Sequence, residues 1–205
     1  MRIEELKPSK KIAGRWLAVL EDGTILRVGE GEVVDFALCA GRELTEEEAE
    51  RLLAGARVSA LKEKIIALLA SRPMSRRETE RKLTDWGAEE GDLAPICDRL
   101  EELGLLDDGQ YALRVVRHYG AKGYGERKLR DELFRRGVPR ELWDEALAQA
   151  DDPAAAIDAF LQKRFPSGTD DREAIKKAAD ALARRGYSWQ DVSEGLARLR
   201  IFTDD

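Results

Sequence analysis

The sequence predicts a mainly α-helical protein, in which a tandem array of three three-helix repeats follows a small N-terminal extension made of a β-hairpin and a helix. Two observations predict the repeats. A Leu-x3-Gly segment recurs at intervals of about fifty residues, and apolar residues follow each of its glycines at the same distances. Repeats of this kind present extended binding surfaces. We therefore expect a binding protein and not an enzyme.

The Leu-x3-Gly segment occupies residues 83–87, 133–137 and 182–186, so its glycines lie 50 and 49 residues apart. A glycine just past the end of a helix adopts the left-handed backbone conformation that terminates the helix. Each segment is therefore predicted to be a helix end followed by a turn.

Apolar residues keep the same positions relative to these glycines. Six residues after the glycines stand Leu93, Trp143 and Val192, and ten residues after them stand Cys97, Leu147 and Leu196. Upstream, at an offset of 50, Leu61, Ile65 and Leu69 align with Tyr111, Val115 and Tyr119. The alignment predicts repeats of helix A, helix B, glycine turn and helix C over residues 58–108, 109–151 and 152–205.

Helix B has start signals in the first and third repeats, because Ser75-Arg-Arg-Glu78 and Asp170-Asp-Arg-Glu173 can satisfy free helix amides. Pro139 suits the first turn of the second helix C. The third repeat departs from the frame before its helix B, where Phe165-Pro-Ser-Gly168 indicates a longer turn. We expect this repeat to cap the array.

The N-terminal extension, residues 1–57, contains two β-prone runs at 15–20 and 24–28 that are separated by Asp22-Gly23, which predicts a hairpin. Residues 32–38 suit either a short helix or a third strand, and we favour the helix. Thr45-Glu-Glu-Glu48 is a capping box that opens a further helix. That helix continues or bends at Gly55 and ends before Pro73.

Charge is unevenly distributed along the 205 residues. The formal net charge is −6 and the pI is near 5.2, so any binding to nucleic acid requires a local basic face. Residues 114–136 hold eight basic and three acidic residues. This segment is the candidate contact face.

The chain has two cysteines, Cys39 and Cys97, and one histidine, His118, too few for a four-ligand Cys/His zinc site. No signal peptide or run of apolar residues long enough to cross a bilayer is present. We expect a monomeric cytoplasmic protein with no metal, no cofactor and no membrane association.

The candidate binding residues are eleven bases and one tyrosine. On the first helix B they are Arg76, Arg77, Arg81 and Lys82, and on the second helix B they are Arg127, Lys128, Arg130 and Arg135. On or beside the second helix A they are Arg114, Arg117, Lys122 and Tyr124. The two helix B clusters occupy equivalent positions, so stacked repeats could merge them into one stripe.

Each of these residues also has a purely structural interpretation. The helix B cations could form pairs four residues apart on a solvated face, such as Arg127 with Asp131 and Lys128 with Glu132. Tyr124 could stack on a base or a partner side chain, or fold onto the core. The glycine-rich segment 120–125 lacks the Gly-Lys-Ser/Thr ending of a phosphate loop, so we expect a helix connection there.

Three blocks of this sequence resemble the RecX regulatory family. They begin at Arg72-Pro-Met-Ser-Arg-Arg-Glu, Leu103-Gly-Leu-Leu-Asp-Asp-Gly and Lys122-Gly-Tyr-Gly-Glu-Arg-Lys. The resemblance implies a modulator of the RecA recombinase that lodges in the groove of the RecA–DNA filament. It also implies suppression of strand exchange and of ATP hydrolysis by the filament, with contact to the DNA backbone secondary and no chemistry by this chain.

Two other functional classes compete with this one. A stand-alone DNA-binding protein would use the basic face of the second repeat, although the acidic total charge disfavours it. A hydrolase or nuclease would need a metal–carboxylate site or a nucleophile beside a base, and the residues do not assemble either one.

Overall fold

The computed structural model describes residues 1–10 and 12–201, with side chains through residue 199. Along these residues the chain forms three strands, ten α-helices and one turn of 3-10 helix. They are β1 (Ile3–Pro8), β2 (Arg15–Leu20), β3 (Ile25–Gly29), α1 (Glu30–Asp35), α2 (Glu46–Ser71), α3 (Arg76–Asp85), α4 (Glu90–Glu102), α5 (Asp108–Gly120), α6 (Glu126–Arg135), the 3-10 turn (Arg140–Leu142), α7 (Trp143–Leu147), α8 (Pro153–Arg164), α9 (Arg172–Arg184) and α10 (Trp189–Ile201).

The N-terminal extension contains a three-stranded antiparallel sheet in the order β1-β2-β3. The predicted hairpin is confirmed, since β2 pairs with β3 and Gly23 adopts a φ of +81° in the turn. Strand β1 adds a partner for β2 that the sequence pattern does not reveal. Its register shifts between Ile3 and Glu5, and such a bulge interrupts the alternation by which a strand is recognised.

Helix α1 confirms the helical interpretation of the segment after the hairpin, although the helix ends at Asp35. The Glu32 carboxylate accepts a hydrogen bond from the Gly29 N–H at 2.7 Å and another from the Ser59 hydroxyl on α2. These two bonds hold α1 between the sheet and α2.

Helix α2 begins with the predicted capping box. The Thr45 hydroxyl accepts the Glu48 N–H at 3.1 Å, and the Glu48 carboxylate accepts the Thr45 N–H at 2.9 Å. The helix passes through Gly55 and ends at Ser71, as the following Arg72-Pro73 requires. The boundary drawn after residue 57 thus falls inside a continuous helix, and the division between extension and first repeat stays a prediction.

The three Leu-x3-Gly segments form the same turn. Gly87, Gly137 and Gly186 have φ values of +88°, +68° and +93°. In each turn the residue after the glycine donates its N–H to the carbonyl of the motif leucine, at 2.9, 3.1 and 3.3 Å, which is the Schellman arrangement. Each of these leucines is fully buried, so the motif ends a helix and anchors it in the core.

The third helix of the second repeat differs from its prediction. Pro139 precedes a 3-10 turn instead of lying in the first turn of an α-helix, and α7 then contains five residues. The Trp143 indole N–H donates to the Val138 carbonyl at 2.9 Å. This bond ties the short helix to the glycine turn.

Separate hydrophobic cores lie under the sheet and within the helical segments. One core joins the sheet to the first half of α2 and includes Ile3, Val28 and Leu52, with Trp16 packed against it. The second and third repeats have their own cores, centred on Leu129 and Leu133 and on Ile157, Leu161 and Leu182.

The chain divides into two compact units. The first comprises Met1–Arg72 and Thr79–Leu105, and the second comprises Pro73–Glu78 and Leu106–Asp205. The short segment before Thr79 belongs with the second unit because of its hydrogen bonds. The Arg76 N–H donates to Asp108 at 2.8 Å, and Glu78 accepts from the Tyr111 hydroxyl at 2.7 Å.

Within the second unit, two glycine turns are each covered by the start of another helix. In the α3 junction (Ser75, Arg77, Arg136, Gly137), the Ser75 hydroxyl donates to the Arg136 carbonyl. A Cβ added to Gly137 would lie 2.8 Å from the Arg77 Cβ. Real Cβ atoms do not approach so closely, so glycine is required by contact as well as by φ.

The α6 junction (Gly125, Arg127, Arg185, Gly186) repeats this contact one repeat later. The Gly125 N–H donates to the Arg185 carbonyl at 2.9 Å, and the Arg127 N–H donates to the Gly186 carbonyl at 3.1 Å. A Cβ on Gly186 would lie 2.5 Å from the Lys128 backbone nitrogen. The Gly87 turn differs, because nothing lies within 4 Å of the position a Cβ would take.

These contacts predict unequal costs for the same substitution. Gly87→Ala should lower the free energy of unfolding by about 1 kcal/mol, the strain of a left-handed alanine. Gly186→Ala should cost about 3 kcal/mol, since its methyl group also meets the α6 backbone. Urea unfolding followed by circular dichroism measures both, and equal losses would show that the junction does not constrain residue 186.

Candidate functional site

The end of α5 carries a group of aromatic and basic side chains, here named the Tyr119 cluster (His118, Tyr119, Lys122, Tyr124, Arg136). The Tyr119 and Tyr124 rings stack with centroids 5.8 Å apart and an interplanar angle of 13°. The Lys122 Nζ and the Arg136 guanidinium lie 4.9 and 5.1 Å from the centre of the Tyr119 ring. His118 is exposed and meets the same ring edge-on at 5.0 Å. Both cations are thus within cation–π distance of the Tyr119 ring.

A buried carboxylate positions this cluster. Glu132 of α6 is 2% exposed and pairs with both Arg135 and Arg136, the latter at 2.7 Å. Arg136 also donates to the Tyr119 hydroxyl at 2.8 Å. Burial lowers the pKa of Arg136, but its interactions with Tyr111, Tyr119 and Glu132 outweigh that effect and raise the pKa above its usual value.

Tyr111 connects the cluster to the start of α3. Its hydroxyl donates to the Glu78 carboxylate at 2.7 Å. Burial raises the pKa of Tyr111, and the negative charge of Glu78 adds to the increase, so the phenol stays protonated at neutral pH. Glu78 in turn accepts from the Ser75 N–H, which belongs to the α3 junction.

Four of the predicted site cations are already engaged. Lys82 pairs with Asp85 at 3.1 Å, Arg130 pairs with Glu126 and Asp144 at 2.8 and 3.1 Å, and Arg135 pairs with Glu132. The Arg127 side chain donates to the Ala183 carbonyl at 2.5 Å. The proposed pairs of Arg127 with Asp131 and of Lys128 with Glu132 do not form among the described residues. Arg127 bonds to the Ala183 carbonyl instead.

In addition to Arg77, Lys122 and Arg127, four predicted cations make no ion pair within the described part of the chain. They are Arg81, Arg114, Arg117 and Lys128. Of the other two bases on α3, Arg77 packs its stem against Gly137, and the Arg76 N–H reaches Asp108. Arg114 and Arg117 lie one turn apart on α5 and are both exposed. With Lys122 they make the end of α5 the part of the site whose charge is most available.

The first helix B cluster is divided between the two units. Arg76 and Arg77 belong to the second unit, and Arg81 and Lys82 belong to the first. A single stripe formed by both clusters therefore stays a prediction.

Tyr124 is half-buried and packs against the core of the second repeat, as one of its two interpretations expects. The glycine-rich segment around it is a helix connection. Its Gly125 N–H is bonded to Arg185, and a Cβ on Gly123 would lie 3.2 Å from the Arg185 side chain. The start of α6 is thus covered by the α9–α10 turn and is closed to a phosphate.

The candidate residues predicted from sequence do not include Tyr119 and Arg136 of the Tyr119 cluster, or Arg185, whose side chain lies beside Gly123. The repeated Arg-Arg-Gly at 135–137 and 184–186 is a signal for the two arginines. Tyr119 was assigned only to the apolar frame, because its hydroxyl contacts depend on the folded position of Arg136.

Among the described residues, no group of histidine, cysteine and acidic side chains could hold a metal ion. The two cysteines form no disulfide, and Cys39 is exposed whereas Cys97 is buried. Within the same residues, no helix combines the length and apolar character needed to cross a membrane.

Two family models match this chain. Residues 107–147 match the model described as RecX, second three-helix domain, and residues 150–196 match RecX, third three-helix domain. Regulatory protein RecX of Halorhodospira halophila is 37% identical over 147 residues, which cover 70% of this chain and 91% of that protein. Regulatory protein RecX of Pseudomonas entomophila is 33% identical over 138 residues, covering 66% and 88%.

Solved structures confirm the fold. A crystal structure of regulatory protein RecX superimposes with a TM-score of 0.77 at 23% identity and covers 96% of this chain and 98% of its own. RecX from Lactobacillus salivarius gives a TM-score of 0.63 at 20% identity, over 71% and 97% of the two chains. The mainly helical class with three-helix repeats is therefore confirmed.

The engaged and unpaired cations should respond differently to truncation. Arg127→Ala removes the bond to the Ala183 carbonyl and should destabilise the protein by about 1 kcal/mol. Arg117→Ala removes an exposed, unpaired charge and should change stability by less than about 0.5 kcal/mol. Thermal unfolding of both variants provides the comparison, and a larger loss for Arg117→Ala would contradict the assignment.

Proposed function

This chain belongs to the RecX family of regulatory proteins, and we propose that it regulates the RecA recombinase by binding in the groove of the RecA–DNA filament. Binding there suppresses the ATPase activity and strand exchange of the filament, without a reaction catalysed by this chain. The similarity to named regulatory proteins over most of their length carries this proposal.

The end of α5 supplies the contact surface in this proposal. Arg114 and Arg117 are exposed and have no ion-pair partner within the described residues, and Lys122 extends the same charge past the helix end. A filament groove lined by acidic side chains and DNA phosphates would attract such a surface. The DNA backbone is the secondary contact, and the protein acts as a cytoplasmic monomer.

The engaged cations have a supporting role. Arg127 stabilises the α6 junction, Arg130 pairs with two carboxylates, and Arg135 shares the Glu132 carboxylate with Arg136. Their substitution would change the fold or the local charge balance as well as the contact. A test of the surface therefore uses the unpaired cations alone.

We predict that the triple variant Arg114→Glu, Arg117→Glu and Lys122→Glu needs about tenfold more protein for half-suppression of RecA ATPase activity on single-stranded DNA. The tenfold change corresponds to about 1.4 kcal/mol shared among three exposed charges. ATP hydrolysis is measured against protein concentration, after circular dichroism has shown unchanged helicity.

The matched control reverses three exposed cations of the third repeat, Lys163, Arg172 and Lys176, and so changes the net charge equally. It should retain suppression. Equal loss in both variants would assign the effect to net charge, and no suppression by the natural protein would refute RecA regulation.

Direct binding of nucleic acid is the second candidate function, and the Tyr119 cluster favours it. Aromatic rings beside lysine and arginine are a common surface for single-stranded nucleic acid. Here, however, Tyr124 and the two cations already contact the Tyr119 ring. The proposal of a filament partner therefore comes first.

A DNA titration without RecA separates the two candidates. Because the net charge is −6, we predict that single-stranded DNA binds more weakly than about 10 µM at about 0.15 M salt. Fluorescence anisotropy of a labelled oligonucleotide provides the measurement. Tight binding with a steep salt dependence would favour the stand-alone DNA-binding function instead.

A further inference from the structure

The first glycine turn, here named the uncovered turn (Asp85, Trp86, Gly87), has the same backbone as the other two but no helix start against it. Nothing lies within 4 Å of a Cβ placed on Gly87. The Trp86 carbonyl corresponds in position to the Arg136 and Arg185 carbonyls, and it accepts no hydrogen bond among the described residues. Among the described residues, this kind of turn is covered at Gly137 and Gly186 and open at Gly87 and Gly104.

The two covered turns show which chemistry fits. Each receives a hydrogen bond from the residue that precedes a helix, the Ser75 hydroxyl in one case and the Gly125 N–H in the other. In both cases, the arginine two residues after the donor also contacts the covered turn. Arg77 lays its stem against Gly137, and Arg127 donates to the Ala183 carbonyl. The shared pattern is a donor at the N-cap and an arginine at the second helical position.

The surroundings of the uncovered turn suit an arginine better than those of the covered turns. Asp85 and Trp86 replace the two arginines that precede Gly137 and Gly186. Lys64 already places its Nζ 4.0 Å from the centre of the Trp86 ring, which shows that the ring accepts a cation. Beyond the turn, Glu90 is exposed and makes no ion pair within the described chain. Asp85 is exposed in a pair with Lys82 at 3.1 Å, so an incoming arginine would meet that carboxylate, Glu90 and the aromatic face of Trp86.

A second copy of this chain lacks a suitable helix start. Ser75 and Gly125 are both used in junctions of their own chain. The start of α9 is the remaining equivalent, and there the Asp171 carboxylate accepts from Glu173 and Ala174 while its N–H is bonded to Thr169. It offers no donor, and Glu173 stands in place of the arginine. If two copies associated in this way, Glu173 of one copy would lie beside Asp85 of the other, and the two negative charges would repel each other.

We propose that the uncovered turn docks the first turn of a helix from another protein. That helix has serine, threonine or glycine at its N-cap and arginine at its second position. The N-cap group donates to the Trp86 carbonyl, the arginine lies beside Asp85 and Trp86, and the close approach requires glycine at 87. The proposal goes beyond RecA regulation and does not depend on it.

The test uses the full chain labelled with ¹⁵N and a designed peptide. The peptide is acetylated, begins Met-Ser-Arg-Arg-Glu and continues as a 16-residue alanine-based helix, which is long enough for partial helicity in water. Titration should shift the amide resonances of Trp86, Gly87 and their neighbours. A control peptide that begins Met-Asp-Arg-Glu-Glu lacks the donor and the arginine, and it should bind at least tenfold more weakly.

A pair of glycine variants tests the location. Gly87→Asn keeps the left-handed conformation, which asparagine tolerates, but fills the space that the helix start would occupy. It should weaken binding at least tenfold. Gly104→Asn is the matched control, because Gly104 ends α4 with a φ of +66° and also has nothing within 4 Å. It should bind the peptide like the natural protein.

Three results would overturn the proposal. They are equal affinity for the two peptides, unchanged binding by Gly87→Asn, and resonance shifts confined to residues away from the turn. Since the assay contains no RecA, its failure leaves the proposed regulation of RecA unaffected, and failure of that regulation leaves this test unaffected.

Discussion

The packing of a glycine turn against a helix start is the constraint on which the second unit depends. At the α6 junction, the Gly125 N–H and the Arg127 N–H both bond to backbone carbonyls of the α9–α10 turn. Two backbones can come this close only where neither carries a Cβ in the way, which explains glycine at both 125 and 186. The bonds also satisfy helix-start amides that would otherwise need a capping side chain.

The same constraint decides which charges remain for a partner. A helix start that packs against a turn brings its first basic side chains into that contact, as Arg77 and Arg127 show. Helix α5 takes no part in such a contact with Arg114 or Arg117, which remain exposed on its outer face. Equivalent positions in a repeat therefore do not imply equivalent roles. Some cations form the contacts of a junction, and others remain exposed and available to a partner.

The buried polar network adds rigidity to this surface. Glu132 would be costly to bury alone, but it is paired with Arg135 and Arg136. Arg136 also donates a hydrogen bond to the Tyr119 hydroxyl. Tyr111 and Glu78 continue the network to the start of α3. The carbonyl of Arg136 accepts the Ser75 hydroxyl, so the residue that organises the aromatic cluster also supports the α3 junction.

The sequence by itself determined the helical class, the three glycine turns, the hairpin and the capped start of α2. These features depend on local chemistry: a left-handed glycine, an Asp-Gly turn and a threonine followed by glutamate act within a few residues. The basic character of residues 114–136 was equally visible, since charge is a property of composition.

Only the tertiary structure decided the rest. Strand β1 forms by pairing with β2, and its bulge interrupts the alternating pattern by which a strand is predicted from sequence. Arg127 and Arg117 look alike in sequence, but one bonds to a carbonyl 56 residues away and the other faces solvent. Gly87 and Gly186 share one motif and one backbone conformation, yet only Gly186 is held against another helix. Such differences arise from contacts between distant residues, which local sequence does not encode.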